Sequence, residues 1–187
     1  MSNDFDMFTI TFTAVFIFFF KGGTNDFILN AQTTLKSYKE AYMADENVNR
    51  KAVTDVYKNA HLALQSISDI LPAVEDEKLK KELKDEYDGY EKIIGKISSY
   101  LAEKNIEPKD VNVFKKAMMW GSVKMKTLID DSKNNIADMM IKGTVMGINE
   151  LTAMKNEKEN YDENVEGFIS ELLSLEEGYY EKLKSFL

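Results

Sequence analysis

Residues 79–101 read LKKELKDEYDGYEKIIGKISSYL, and the placing of their apolar side chains decides the fold. Leu79, Leu83, Tyr87, Tyr90, Ile94, Ile97 and Leu101 recur every three or four positions, with Lys, Glu and Asp between them. That period puts them on one stripe of a helix, here predicted from about Asp76 to Lys104. Upstream, Val53, Val56, Tyr57, Ala60, Leu64, Ile67 and Leu71 make a second stripe. It predicts a helix from about Asn49 to Leu71, stopped by Pro72, whose ring cannot sit in a helix interior. The link between the two is short, so they should fold back on each other as an antiparallel hairpin.

Working outward, Asn105-Ile-Glu-Pro-Lys-Asp110 reads as a loop. A shorter helix is expected beyond it to about Asp130, carrying Phe114, Met118, Trp120, Met125 and Leu128. Ser132 is placed to cap a further helix reaching about Asn156. The apolar residues there, Ile136, Met139, Met140, Ile141, Val145, Met146, Ile148, Leu151 and Met154, cover most of the circumference, as in a central helix. Asn160 with Glu163 resembles a capping box opening the last helix, which carries Val165, Phe168, Ile169, Leu172, Leu175, Tyr179 and Leu183. Near the start, Phe27, Ala31, Leu35, Tyr38 and Tyr42 predict an amphipathic helix over Asp26–Met43, interrupted or bent by the polar stretch Ala44–Asn49. The expected organisation is therefore an apolar extension (1–23), an N-terminal helix (24–46) and a helical bundle domain (47–187).

Bulk composition supports an all-α globular class. Of 187 residues, 44% are hydrophobic and 30% charged, and two prolines and nine glycines leave long helices uninterrupted. The net charge is −8, and the lysines are interleaved with acids, as across Glu75–Glu82. A polyanionic duplex would be repelled, so no nucleic acid is expected as a partner. The absence of cysteine excludes disulfides, zinc–thiolate sites, iron–sulfur clusters and thiol nucleophiles. Arg50 is the sole arginine among abundant Lys, Asn, Ile, Phe and Tyr, a bias expected of an AT-rich bacterial genome. A cytoplasmic location is expected.

The stretch Met7–Phe20, MFTITFTAVFIFFF, has two readings. It lacks the positive start of a signal peptide and is shorter than the ~20 apolar residues of a membrane span. Lys21-Gly22-Gly23 is what AAA-GGA-GGT would encode, a ribosome-binding site, in which case the run is translated upstream DNA. If residues 1–20 are genuine, they form an apolar segment that would seek a membrane surface or a partner.

Two hairpins joined by a crossover with its own short helix describe a four-helix bundle with one long connection. The Val74-Glu-Asp-Glu-Lys-Leu79 link, the Glu107-Pro-Lys-Asp110 loop, Trp120 with Lys124, and Gly143 carry a resemblance across residues 47–187. In these the chain resembles the ferritin-like superfamily, most nearly its small bacterial four-helix-bundle members that lack di-iron ligands. The resemblance implies a ferritin-like antiparallel four-helix bundle with a short crossover helix, here with an extra N-terminal helix. Iron-using members hold two metals with inward Glu residues and Glu-x-x-His pairs. Here the single histidine, His61, has Lys58 three residues before it, and the acids avoid the apolar stripes and read as outward-facing. No metal, cofactor or catalytic residue is therefore assigned, and the chain is not expected to be an enzyme.

Further candidates are His61, a methionine group and two glycines. His61 beside its stripe suits a partly exposed structural histidine, or a lone ligand. Met118, Met125, Met139, Met140 and Met146 suit core filling, or a thioether-lined site for a ligand or soft metal. Gly143 and Gly147, one turn apart, each lower helix propensity by ~1 kcal/mol, which close approach of a neighbouring helix or protomer would offset. The leading expectation is a non-enzymatic bundle acting by protein contact, as a homo-oligomer or with a protein partner. The alternative is a small-ligand or metal-binding bundle using the Met-rich face. A membrane-associated protein follows only if residues 1–20 are genuine.

Overall fold

The computed structural model describes residues 25–107, 132–157 and 161–187, with side chains from residue 32 onward. The chain divides into two compact units, Met1–Glu46 and Asn47–Leu187. The described residues form four α-helices, α1 (Asn25–Ile70), α2 (Glu77–Glu103), α3 (Lys133–Asn156) and α4 (Glu163–Leu183), with 3₁₀ turns after α1 and α4 and no strand among them. The all-α class is thus observed. No described helix is long and apolar enough to cross a membrane. The expected crossover helix, with Phe114, Met118, Trp120 and Met125, and the extension 1–23 lie outside the described residues.

Element ends follow local chemistry. Helix α1 stops at Ile70, where Pro72 tightens the chain into the 3₁₀ turn Leu71–Ala73. Asp76 caps α2, its Oδ1 accepting from the amides of Lys78 and Leu79 at 3.0 and 2.9 Å. At the other end Asn105 takes φ 52°, a left-handed turn that Asn tolerates better than most residues. The Ile106 amide then donates to the Leu101 carbonyl at 2.8 Å and the Asn105 amide to that of Ala102 at 3.2 Å. These are the two bonds of a Schellman motif, and Ile106 packs on the core as its hydrophobic contact.

Three expectations are corrected. Helix α1 is continuous through 44–49, because Ala-Asp-Glu-Asn-Val-Asn contains neither Gly nor Pro and none of these residues forces a break. The cap of α4 is Asp162, whose Oδ1 accepts from the Val165 amide at 2.9 Å, rather than Asn160. Helix α3 is not central. Only Ile136, Ala137, Met140, Thr144, Gly147 and Leu151 are buried, while Val145 is 36% and Met146 66% exposed. A stripe wider than the contact it makes leaves apolar residues in water, and the sequence does not mark which.

In the second unit one core draws on all four helices. Val53, Val56 and Ile67 from α1 meet Leu83 and Ile97 from α2, Ile136 and Leu151 from α3, and Ile169 and Leu172 from α4. Contacts between α2 and α4 form a ladder. Glu82 pairs with Lys182 at 2.7 Å, Tyr179 Oη donates to the Asp85 carbonyl at 3.0 Å, Lys96 pairs with Glu171, and Tyr100 Oη donates to Asp162. The Asp162 amide in turn donates to Asn49 Oδ1 at 2.7 Å.

Candidate functional site

Every third or fourth residue of α2 points into the core, and one of those positions holds an acid. Glu86 stands between Leu83 and Tyr90 and is 1% exposed. Glu176 occupies the equivalent place on α4, between Leu172 and Tyr179, and is also 1% exposed. The expectation that the acids all face outward is thereby corrected. Each stands one position beside a residue of the stripe read for its helix, Glu86 next to Tyr87 and Glu176 next to Leu175, so the apolar repeat shows no gap that would mark either acid.

The two carboxyls lie at the base of a cavity of about 220 Å³ between the four helices. Its deep part is formed by buried Glu86, Tyr90, Ile67, Met140, Thr144, Gly147 and Glu176. Its rim is formed by exposed Leu62, Gly143, Met146 and Glu150, with Asn59, Ala63, Ser66 and Met139 half-buried. Across the rim Asn59 Nδ2 donates to Glu150 Oε2 at 3.4 Å, joining α1 to α3.

Polar groups inside proteins are nearly always hydrogen-bonded, because water is lost and must be replaced. Here Glu86 Oε1 and Glu176 Oε2 are buried with no hydrogen-bond partner. Tyr90 donates to Glu176, which favours its ionised form, but loss of water outweighs this and the nearby Glu150 charge adds to it. The Glu176 carboxyl is pushed up to about 8. Burial likewise pushes Glu86 up to about 8, with the charges of Glu82 and Glu176 assisting and Lys182 opposing. Lys182 is already committed to Glu82. At neutral pH the base of the cavity is therefore largely protonated: two carboxylic acids beside a tyrosine, walled by thioethers and aliphatic carbon.

Space for Glu176 comes from a glycine. A Cβ at Gly147 would collide with the Glu176 carboxylate. At Gly143, one turn earlier on the rim, a Cβ would meet nothing within 4 Å. The two glycines thus stand in different surroundings: the neighbour at Gly147 is a side chain of α4, and Gly143 is open.

The other sequence candidates separate as well. Met139, Met140 and Met146 all line the cavity, whereas Met118 and Met125 lie outside the described residues. His61 does not line it. Half-buried, it meets the Tyr57 ring edge-on with centroids 4.4 Å apart, and burial lowers its pKa. Among the described residues no three His, Cys, Asp or Glu side chains converge as a metal site would require. No protein-family model, no curated protein and no solved structure matches the chain.

Proposed function

We propose that the protein is a non-enzymatic binding protein that takes a small molecule into the cavity of an antiparallel, ferritin-like four-helix bundle. One observation carries the reading: an apolar cavity whose base holds two buried carboxyls, each with an oxygen lacking a partner. Ligand sites in bundles lie between the helices, apolar in the main with a few polar groups that fix orientation. A volume below the roughly 300 Å³ lower limit of drug-sized pockets suits a compact ligand. The flexible thioethers of Met139 and Met140 adapt to such a guest. The antiparallel arrangement is supported by the α2–α4 ladder, in which residue numbers rise on one helix as they fall on the other.

The test is a panel of small water-soluble fragments, neutral and charged, added to protein carrying ¹³C-labelled methionine methyls. The expected result is saturable shifts of the Met139, Met140 and Met146 signals. A panel that moves none of them at millimolar concentration would end the binding reading.

A second reading, contact between copies of the chain, rests on a separate face. Within the first unit Leu35, Tyr38, Tyr42 and Met43 are exposed on adjacent turns of α1. Large apolar residues grouped this way on a helix favour association. Native mass spectrometry of the full chain should then give a dimer or higher species that Tyr38→Glu with Tyr42→Glu dissociates. A monomer at every concentration would remove this reading.

A further inference from the structure

We propose that the ligand of the cavity is a small primary amine with an apolar tail, its ammonium seated on Glu86 and Glu176 and its tail against Leu62, Met139 and Met140. The inference rests on the small-molecule reading above and names its chemical class.

The argument begins with what the base of the cavity lacks. Glu86 Oε1 and Glu176 Oε2 have no hydrogen-bond partner, and once the pair has lost a proton and any proton that is kept sits on the other oxygen, both are acceptors without donors. The third polar group there, Tyr90, already donates to Glu176. A guest that satisfies both oxygens must bring at least two N–H or O–H donors on one compact head. An ammonium has three, in a tetrahedral spread that can address two carboxyls and leave a donor for the Thr144 hydroxyl or a water. Thr144 lines the cavity, although its own hydroxyl proton goes to the Met140 carbonyl at 3.0 Å, which leaves its oxygen free to accept. A neutral alcohol brings one donor and can satisfy one of the two oxygens. Charge favours the amine too, since a cation between two carboxyls in an apolar surround is held more tightly than any neutral donor.

The walls define the rest of the guest. Ile67, Leu62, Ala63, Met139 and Met140 offer carbon and sulfur, so the part of the ligand beyond its head is apolar. A bare divalent cation would want oxygen ligands all round. The base provides two carboxyls, and the third acid, Glu150, is exposed at the rim and engaged by Asn59.

Binding then carries a proton cost with a definite sign. The groups facing the pair are Tyr90 and Glu82 from α2, Glu150 from α3 and Lys182 and Tyr179 from α4, while α1 offers the cavity only Asn59 and Ser66 as polar groups. Among these, Lys182 is the only cation. The empty pair is largely protonated below about 8 and must lose a proton to receive an ammonium. Affinity should therefore fall by up to about tenfold for each pH unit below 8, the slope of one proton released per amine bound.

The experiment titrates the methionine-labelled full chain with butylamine hydrochloride, with 1-butanol as its neutral counterpart and with Mn²⁺ alone. Butylamine is expected to bind at least about tenfold more tightly than 1-butanol at pH 8. The preference should shrink towards pH 6, and Glu176→Gln should abolish it while 1-butanol still binds. Equal binding of the two organic probes, or a preference independent of pH, would overturn the amine assignment and leave the cavity a binding site for neutral molecules. Saturable broadening of Met139 and Met140 by Mn²⁺, lost in Glu176→Gln and not relieved by butylamine, would overturn it in favour of a metal. If neither organic probe moves any cavity methyl, the small-molecule reading falls with it.

Discussion

Replacing Glu86 and Glu176 together by Gln should stabilise the protein at pH 7–8, by an amount on the order of a few kcal/mol. Gln has nearly the shape of a protonated Glu and retains an oxygen that can accept from Tyr90, so the core need not rearrange. What changes is the charge the unfolded chain gains. An unfolded Glu ionises near its ordinary 4.5, whereas in the fold each carboxyl holds its proton to about 8. The folded pKa is raised, so the carboxyl's full contribution to stability is present below 4.5 and is lost as pH climbs towards 8. Each unit of that window is worth up to about 1.4 kcal/mol per group. The wild type should accordingly lose stability from pH 5 to pH 8, and the double Gln variant should show a much flatter profile. His61 acts with the opposite sign below 6.5, since burial lowers its pKa, but it is present in both proteins and cancels in the comparison. Urea midpoints at four pH values would decide it. Parallel profiles would mean that the carboxyls are not held protonated by the fold. Retaining two acids that weaken the fold at neutral pH is what a site kept for binding looks like, because polar groups placed for a ligand lower the stability of the empty protein.

The two glycines of α3 should respond oppositely to the same substitution. Gly147→Leu is expected to cost about 1–3 kcal/mol, the usual penalty for forcing carbon into a packed core. The added side chain begins where the Glu176 carboxylate already sits, so Glu176 must leave its place beside Tyr90 and give up the packing that keeps it 1% exposed. Improved helix propensity offsets at most ~1 kcal/mol of this. Gly143→Leu, on the open rim, should leave stability unchanged or raise it by a few tenths of a kcal/mol up to ~1 kcal/mol, since nothing lies within 4 Å of its new Cβ. Unfolding midpoints of the two single variants give the comparison. Equal losses at both positions would show that Gly143 also faces a close neighbour, for example in an assembled form of the chain.

Much of the helical framework could be read along the chain. The period of Leu79 to Leu101 located α2 to within a residue at each end, because an amphipathic stripe and an Asp cap are local properties of sequence. Pro72 marked the end of α1 and Ser132 the start of α3 for the same reason. The cavity was legible only in part. Met139, Met140 and Met146 stood out as a group because thioethers at helical spacing are visible in one dimension. Glu86 and Glu176 are not legible in this way, since an acid one position off an apolar stripe is far more often solvated than buried.

By itself, then, the sequence determined helix type, most helix ends and the residues of one apolar stripe per helix, all of which depend on neighbours within about four positions. Only the tertiary structure decided which side of α3 is covered, which acids lose their water, and which glycine makes room for one of them. Glu86 and Glu176 are 90 residues apart and become a pair only where α2 and α4 pack, with Gly147 of α3 against Glu176. Burial is a property of what packs above a residue, and no local pattern carries it.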